Sequence, residues 1–138
     1  TSDRSVGAGL KQIAAEVEDE HGKPIEVVTV GDARPSAQTD ALLDATRQAL
    51  VNAVTHGGEP VSLYCEASDT MVEVFVRDHG EGFDMDAIPP DRLGIRESIT
   101  GRIKRRGGTV EIVSRAGWGT EVRMHMPIAL KAAQGEHR

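Results

Sequence analysis

The sequence predicts an α+β domain in which helices cover one face of a mixed β-sheet. Three observations predict it. Apolar residues recur at helical spacing in some stretches and alternate with polar ones in others, as in "MVEVFVR" at 71–77. Strands come in neighbouring pairs rather than alternating strictly with helices. No G-x-G-x-x-G follows the first strand and no P-loop occurs, so a doubly wound nucleotide fold is excluded. A chain of 138 residues is long enough to bury one core.

The elements follow in order. Residues 5–20 place Leu10, Ile13, Ala14 and Val17 at helical spacing, and "HGK" stops that helix. Pro24 leads into a strand, "IEVVTV", and "GDARPS" is a turn. A long helix runs from Thr39 to His56 with Leu42, Leu43, Leu50, Val51 and Val54 on its apolar side, and Gly57-Gly58 end it in C-cap positions. Strands are expected at 61–67 and 71–77. Residues 83–93, "FDMDAIPPDRL", have no period and read as a loop. "GIRESITGRIKRR" is a helix that starts beside a glycine and ends in basic residues, and Gly107-Gly108 terminate it. "TVEIVSR" and "TEVRMHMP" form a hairpin around "AGWG", and the chain from about Leu130 is a polar tail.

Composition narrows the function. A net charge of -6 argues against a nucleic-acid binder, which would carry a basic face. The run "RIKRR", 102–106, fits a solvated helix end. Cys65 is the only cysteine, so no internal disulfide exists and a reducing setting is expected. Within "VSLYCEA" it reads as a small core residue. No apolar run approaches the ~20 residues of a membrane span. The start at Thr1 is expected of a piece cut from a longer protein.

The chemistry concentrates in four places. Gln48, Asn52 and His56 are four apart and share one face of the long helix, and the Asn52 carboxamide oxygen is a hard ligand suited to Mg²⁺. "DHGEGF", 78–83, ends a strand on an acid and then removes two side chains. That is turn chemistry, or room for a ligand beside a carboxylate that accepts from it. "LGI", 93–95, stands where a loop meets a helix start, and free N–H groups there suit a phosphate. "GWGT", 117–120, is a hairpin turn ending in a hydroxyl, with Trp118 at its tip either as a partner surface or as cover for the sheet edge. His79 reads as a solvent-facing loop residue.

The ordered set of polar helix, strand-DxGxG, loop-Gly-helix and hairpin-GxGT resembles the catalytic ATP-binding domain of sensor histidine kinases, within the wider GHKL group that includes gyrase and Hsp90. The stretch "LGIRESITGRIKRRGGTVEIVSRAGWGTEVRMHMP" is most similar to kinases that pair with LuxR/NarL-type response regulators. The resemblance covers roughly 25–128. It implies a Bergerat fold, a two-layer α/β sandwich with a mixed sheet backed by about three helices and a lid over ATP. It divides the chain into residues 1–24, a helix and junction from an upstream dimerisation and phosphoacceptor domain; 25–130, the ATP-binding domain; and 131–138, a tail. It further implies a cytoplasmic, monomeric piece whose membrane attachment, where present, lies in other segments.

By position, Asn52 matches the family's Mg²⁺-binding asparagine and Asp78 the aspartate that accepts from the adenine amino group. Gly80 and Gly82 let the backbone pass the base. Gly94, with Leu93, Ile95 and Arg96, matches the end of the lid beside the triphosphate, and Thr120 the threonine near adenine. Two positions depart from the pattern. Gln48 replaces a glutamate thought to order a metal-bound water or act as base, and an amide cannot take a proton at neutral pH. Thr55 replaces a cation, for which His56, Arg92 or Arg96 would have to compensate on phosphate. Besides a histidine kinase, the residues leave open an anti-sigma-factor-type serine kinase and a degenerate nucleotide-binding regulatory module.

Overall fold

In the computed structural model, residues 5–88 and 90–128 are described, the side chains of 91 and 92 excepted. Three helices and five strands follow in the order α1 (Val6–His21), β1 (Ile25–Val30), α2 (Ala37–His56), β2 (Val61–Ala67), β3 (Met71–Asp78), α3 (Pro90–Lys104), β4 (Thr109–Arg115) and β5 (Gly119–Pro127). The sheet order is β1-β2-β3-β5-β4. Only β1–β2 is parallel, joined through α2, and the other neighbours are antiparallel. The α+β expectation and the mixed sheet with three helices hold.

Side-chain alternation decides the layering. On β3, Val72, Val74, Val76 and Asp78 are buried, and on β5 so are Thr120, Val122, Met124 and Met126. The opposite face carries half-buried Tyr64 and Phe75, whose ring centroids are 5.9 Å apart. The buried face meets Leu42, Leu50 and Val54 of α2 and Ile99 and Ile103 of α3 in one cluster. Each such fully buried aliphatic side chain contributes about 1.5–3 kcal/mol.

The helix α1, which the sequence reading set apart from residues 25–130, packs into this same core through Val6, Leu10, Ile13, Ala14 and Val17. An ion pair between Arg47 and Glu16 ties it to α2. At its start, Asp32 Oδ1 accepts from the Gly7 N–H at 2.8 Å. Burial raises the Asp32 carboxyl, but bonds from Gly7, Ser5 and Ala33 and the charge of Lys11 outweigh it and hold the group below its ordinary value. The α2 helix begins at Ala37, two residues before the expected Thr39, because Ser36 and Thr39 cap it reciprocally.

The α3 helix departs further from expectation. It starts at Pro90, not beside Gly94, so the loop ends earlier and "LGI" lies inside the helix. Proline needs no N–H acceptor in a first turn and has its φ preset, which lets the helix begin there. The expected tail, including His137, lies outside the described residues.

Candidate functional site

The site grows from the end of the sheet. Asp78, Thr120 and Ser114 stand opposite one another on β3, β5 and β4. They continue the apolar rows Val76–Val122–Ile112 and Val74–Met124–Val110 by one step, so the core ends in three polar residues. All three are buried, Asp78 to 5% exposure. Asp78 Oδ1 accepts from the Gly80 N–H at 2.9 Å. Ser114 Oγ accepts from the Phe83 N–H at 2.9 Å, donates to the Gly119 carbonyl at 3.0 Å, and lies 2.8 Å from Thr120 Oγ1.

The segment 79–83 threads between the exit of α2 and the β4–β5 turn. On one side His79 N–H donates to Gly58 O at 2.8 Å, and the His79 ring reaches Pro60 O at 2.9 Å. On the other, Gly117 N–H donates to Glu81 O at 2.7 Å. Gly57 is the C-cap of α2, as expected, with its N–H donating to Ala53 O, but its φ of -94° is open to any residue. Space is what demands glycine there, because a Cβ would run into the Asp78 carboxylate. Gly82 has φ +70°, and a Cβ on it would strike the Arg115 carbonyl. The "DHGEGF" stretch is therefore a turn, shaped so that its backbone fits between two neighbours. Below it the Arg77 guanidinium lies 3.6 Å from the Trp118 ring centroid and donates to Asp78 O at 3.2 Å. Trp118 thus covers Arg77 with its ring.

These elements enclose a cavity of about 390 Å³. Asn52, His56, Asp78, Gly80, Gly82 and Thr120, all expected site residues, line it together. Gly57, Gly58, Glu81 and Phe83 line it as well and were missed. The Gly57-Gly58 pair was visible in sequence and read as the helix end, which Gly57 does form, but not as part of the site. Gln48, expected on the same helix face, does not line the cavity; the Ser98 hydroxyl of α3 donates to its Oε1 at 3.2 Å. Leu93, Gly94, Ile95 and Arg96 do not line it either. They sit in the early turns of α3, displaced from the expected loop–helix junction by the earlier helix start. Cys65 is buried on β2, and burial pushes its thiol up to about 11, which fits a core residue.

The lining is acidic on balance. Asp78 and Glu81 belong to it, and among the described residues no lysine or arginine does. Asn52 Oδ1 is shut off from solvent and has no hydrogen-bond partner among the described residues. A buried acceptor left unpaired costs about 1–3 kcal/mol. A hard cation would satisfy it, and a neutral oxygen of this kind suits Mg²⁺. Among the described residues no cluster of three or more His, Cys, Asp or Glu could hold a metal unaided. An ion at Asn52 would therefore take most of its ligands from a bound anion and water.

Known proteins are similar to this chain in sequence or in fold. The sensor histidine kinase LiaS of Bacillus subtilis (strain 168) is 28% identical over 127 residues, covering 88% of this chain and 35% of the relative. The chain thus spans about a third of that curated relative's length. Among solved structures, the histidine kinase domain of the blue-light activated histidine kinase from Erythrobacter litoralis EL346 superposes with a TM-score of 0.70 at 22% identity, covering 97% of this chain and 65% of that one. The mycobacterial sensor histidine kinase MprB gives 0.69 at 14% identity, covering 92% of this chain and 97% of that one. Both share the fold. The family described as histidine kinase-, DNA gyrase B-, and HSP90-like ATPase matches residues 37–130, from the start of α2 through the sheet-end row of Asp78, Ser114 and Thr120, and the chain belongs to that family.

Proposed function

We propose that this chain is the ATP-binding catalytic domain of a two-component sensor histidine kinase, binding Mg-ATP and donating the γ-phosphate to a histidine on a separate domain. The observation that carries this reading is the cavity that Asn52, whose buried oxygen has no partner among the described residues, lines together with Asp78 and Thr120. Asp78 accepts from the adenine amino group, Gly80 and Gly82 admit the base, and Asn52 holds Mg²⁺ against the phosphates. A triphosphate beside Asp78 and Glu81 needs counter-charge, and the metal supplies it. The protein's own part is positioning, as phosphoryl transfer generally requires.

Gln48, now bonded to Ser98, serves as the catalytic-position residue that orients the metal shell, and Leu93, Gly94, Ile95 and Arg96 close on the triphosphate with His56. The acceptor histidine belongs to an upstream dimerisation domain. The regulator is of the LuxR/NarL type, reached through the full-length kinase in the cytoplasm. No helix among the described residues is long and apolar enough to cross a membrane.

Calorimetry with ATP tests the reading, with and without Mg²⁺. Magnesium-enhanced binding by the purified chain is expected, and no binding under either condition overturns it. Incubation with γ-labelled ATP and Mg²⁺ should label a histidine only when an upstream helical segment is added. In the full-length kinase, Gln48→Glu should raise turnover more than it changes ATP affinity, and equal turnover at saturating ATP removes Gln48 from the catalytic role.

A further inference from the structure

Ser114 has one proton and three hydrogen-bond contacts, and this fixes the direction of each bond. The Gly119 carbonyl can only accept, so it takes the serine proton at 3.0 Å. The Phe83 N–H can only donate, so it occupies a serine lone pair at 2.9 Å. The remaining contact, 2.8 Å to Thr120 Oγ1, must then run from threonine to serine. Thr120 has one hydroxyl proton too, and it points inward. Thr120, which lines the cavity, therefore has only lone pairs left on its Oγ1 to offer a further partner. Its neighbour across the β3–β5 ladder, Asp78, is likewise an acceptor when ionised.

We infer that Ser114 is a positioning residue for base recognition: by taking the Thr120 proton it makes the Asp78–Thr120 wall acceptor-only, so the wall favours a base edge bearing an amino group and rejects one bearing a carbonyl. Ser114 does not line the cavity; it holds Phe83 of the lining through the backbone and sets the polarity of the wall through Thr120. The inference rests on the nucleotide site proposed above and adds the polarity of its wall. The two backbone bonds of Ser114 make the polarity robust. To reverse Thr120, serine would have to abandon the Gly119 carbonyl, which is buried against the same turn.

The test compares ATP with inosine triphosphate, in which a carbonyl replaces the purine amino group. Affinities are measured by calorimetry with Mg²⁺ for the parent, Ser114→Ala, Thr120→Val and the double variant. In Ser114→Ala the Thr120 hydroxyl is free to donate into the cavity. The ATP-to-inosine triphosphate preference should fall by about fivefold, the size of one exchanged hydrogen bond. In the Thr120→Val background the same serine change should leave the preference unaltered, because no hydroxyl remains to turn. A merely structural serine would weaken both nucleotides equally in both backgrounds. Should Ser114→Ala fail to fold, Ser114→Cys keeps the shape with a weaker donor and acceptor, and should shift the preference in the same direction. An unchanged preference with ATP binding intact, or a shift that persists in the Thr120→Val background, overturns this inference alone. Loss of ATP binding by the parent chain overturns it together with the proposed function.

Discussion

The segment that lines the cavity after β3 and the segment that follows it are built differently. At the sheet end, residues 79–83 are fixed by partners far away in the chain: Gly58 and Pro60 on one side, Ser114 and Gly117 on the other. Beyond them, residues 84–87 are bonded locally, Ala87 N–H to Asp84 O and Asp86 N–H to Asp84 Oδ1, both at 2.9 Å, and in the early turns of α3 Ile95 packs against the core. Leu93 is 38% exposed, and a Cβ on Gly94 would meet nothing within 4 Å. Long-range bonds preorganise a binding wall, so little ordering remains for a ligand to drive. Local turns give no such advantage. The difference teaches that the base wall is ready-made, whereas any grip on the phosphates by 93–96 requires the early turns of α3 to approach the cavity.

The harshest way to break this contrast is Gly82→Ala. Its left-handed φ alone costs a non-glycine residue about 1–3 kcal/mol, and the collision with the Arg115 carbonyl adds to it. We expect a loss of about 3 kcal/mol or more in denaturant unfolding, with ATP binding abolished. A variant that is as stable as the parent would show that the sheet end is pliable after all.

Next in size is Asp78→Asn. The amide can keep the bond from Gly80 N–H through its oxygen, so the fold should survive. Its other atom becomes a donor facing the base amino group. ATP affinity should fall by about 1–3 kcal/mol, the value of a charge-assisted hydrogen bond at a desolvated site. Titration followed by Trp118 fluorescence would measure it, since Trp118 is the only tryptophan and stacks on the neighbouring Arg77. Undiminished affinity in the folded variant would remove Asp78 from base recognition.

The same contrast explains what could be read from the sequence. Asp78, Gly80, Gly82 and Thr120 were legible because strand alternation and turn glycines are local signals, and β-pairing then carries them to one place. Gly57 ends α2 as read, but its place and that of Gly58 in the cavity were not foreseen, since close packing against Asp78 and Gly80 is a tertiary fact that leaves no sequence mark beyond that of a helix end. Ser114 was passed over as one polar residue in a strand. Its weight comes from the register that sets it opposite Thr120. The boundary at Pro24 cut α1 from a core it helps to build, because a hinge-like "HGKP" says nothing of packing against α2. The start of α3 was misjudged because a loop without period offers only its prolines, and Pro90 proved to open the helix.

Asn52→Ala sharpens the comparison at the middle of the cavity. Removing an oxygen that has no partner among the described residues should not weaken the fold, and alanine is the better helix former. Stability should stay equal or rise by up to about 1 kcal/mol. Binding should separate from stability: roughly tenfold weaker for ATP with Mg²⁺, about 1.4 kcal/mol, and unchanged without it. Equal loss with and without the metal would assign Asn52 to the nucleotide rather than to the ion.

The smallest expected effect is that of Gly94→Ala, the same exchange as at Gly82 with the opposite sign. Gly94 lies within α3, has ordinary helical surroundings, and a methyl group there would touch nothing within 4 Å. Replacing a helix-interior glycine by alanine stabilises by up to about 1 kcal/mol, because alanine loses less backbone entropy on folding. Thermal unfolding should therefore move upward by a few degrees. ATP affinity is the more telling readout. If 93–96 stay on the helix when nucleotide binds, affinity should be unchanged. If their backbone must approach the phosphates, the added methyl should weaken Mg-ATP binding while the free protein is more stable. A more stable variant with weaker binding would place Gly94 in contact with the triphosphate, and a more stable variant with equal binding would confine nucleotide recognition to the preformed sheet end.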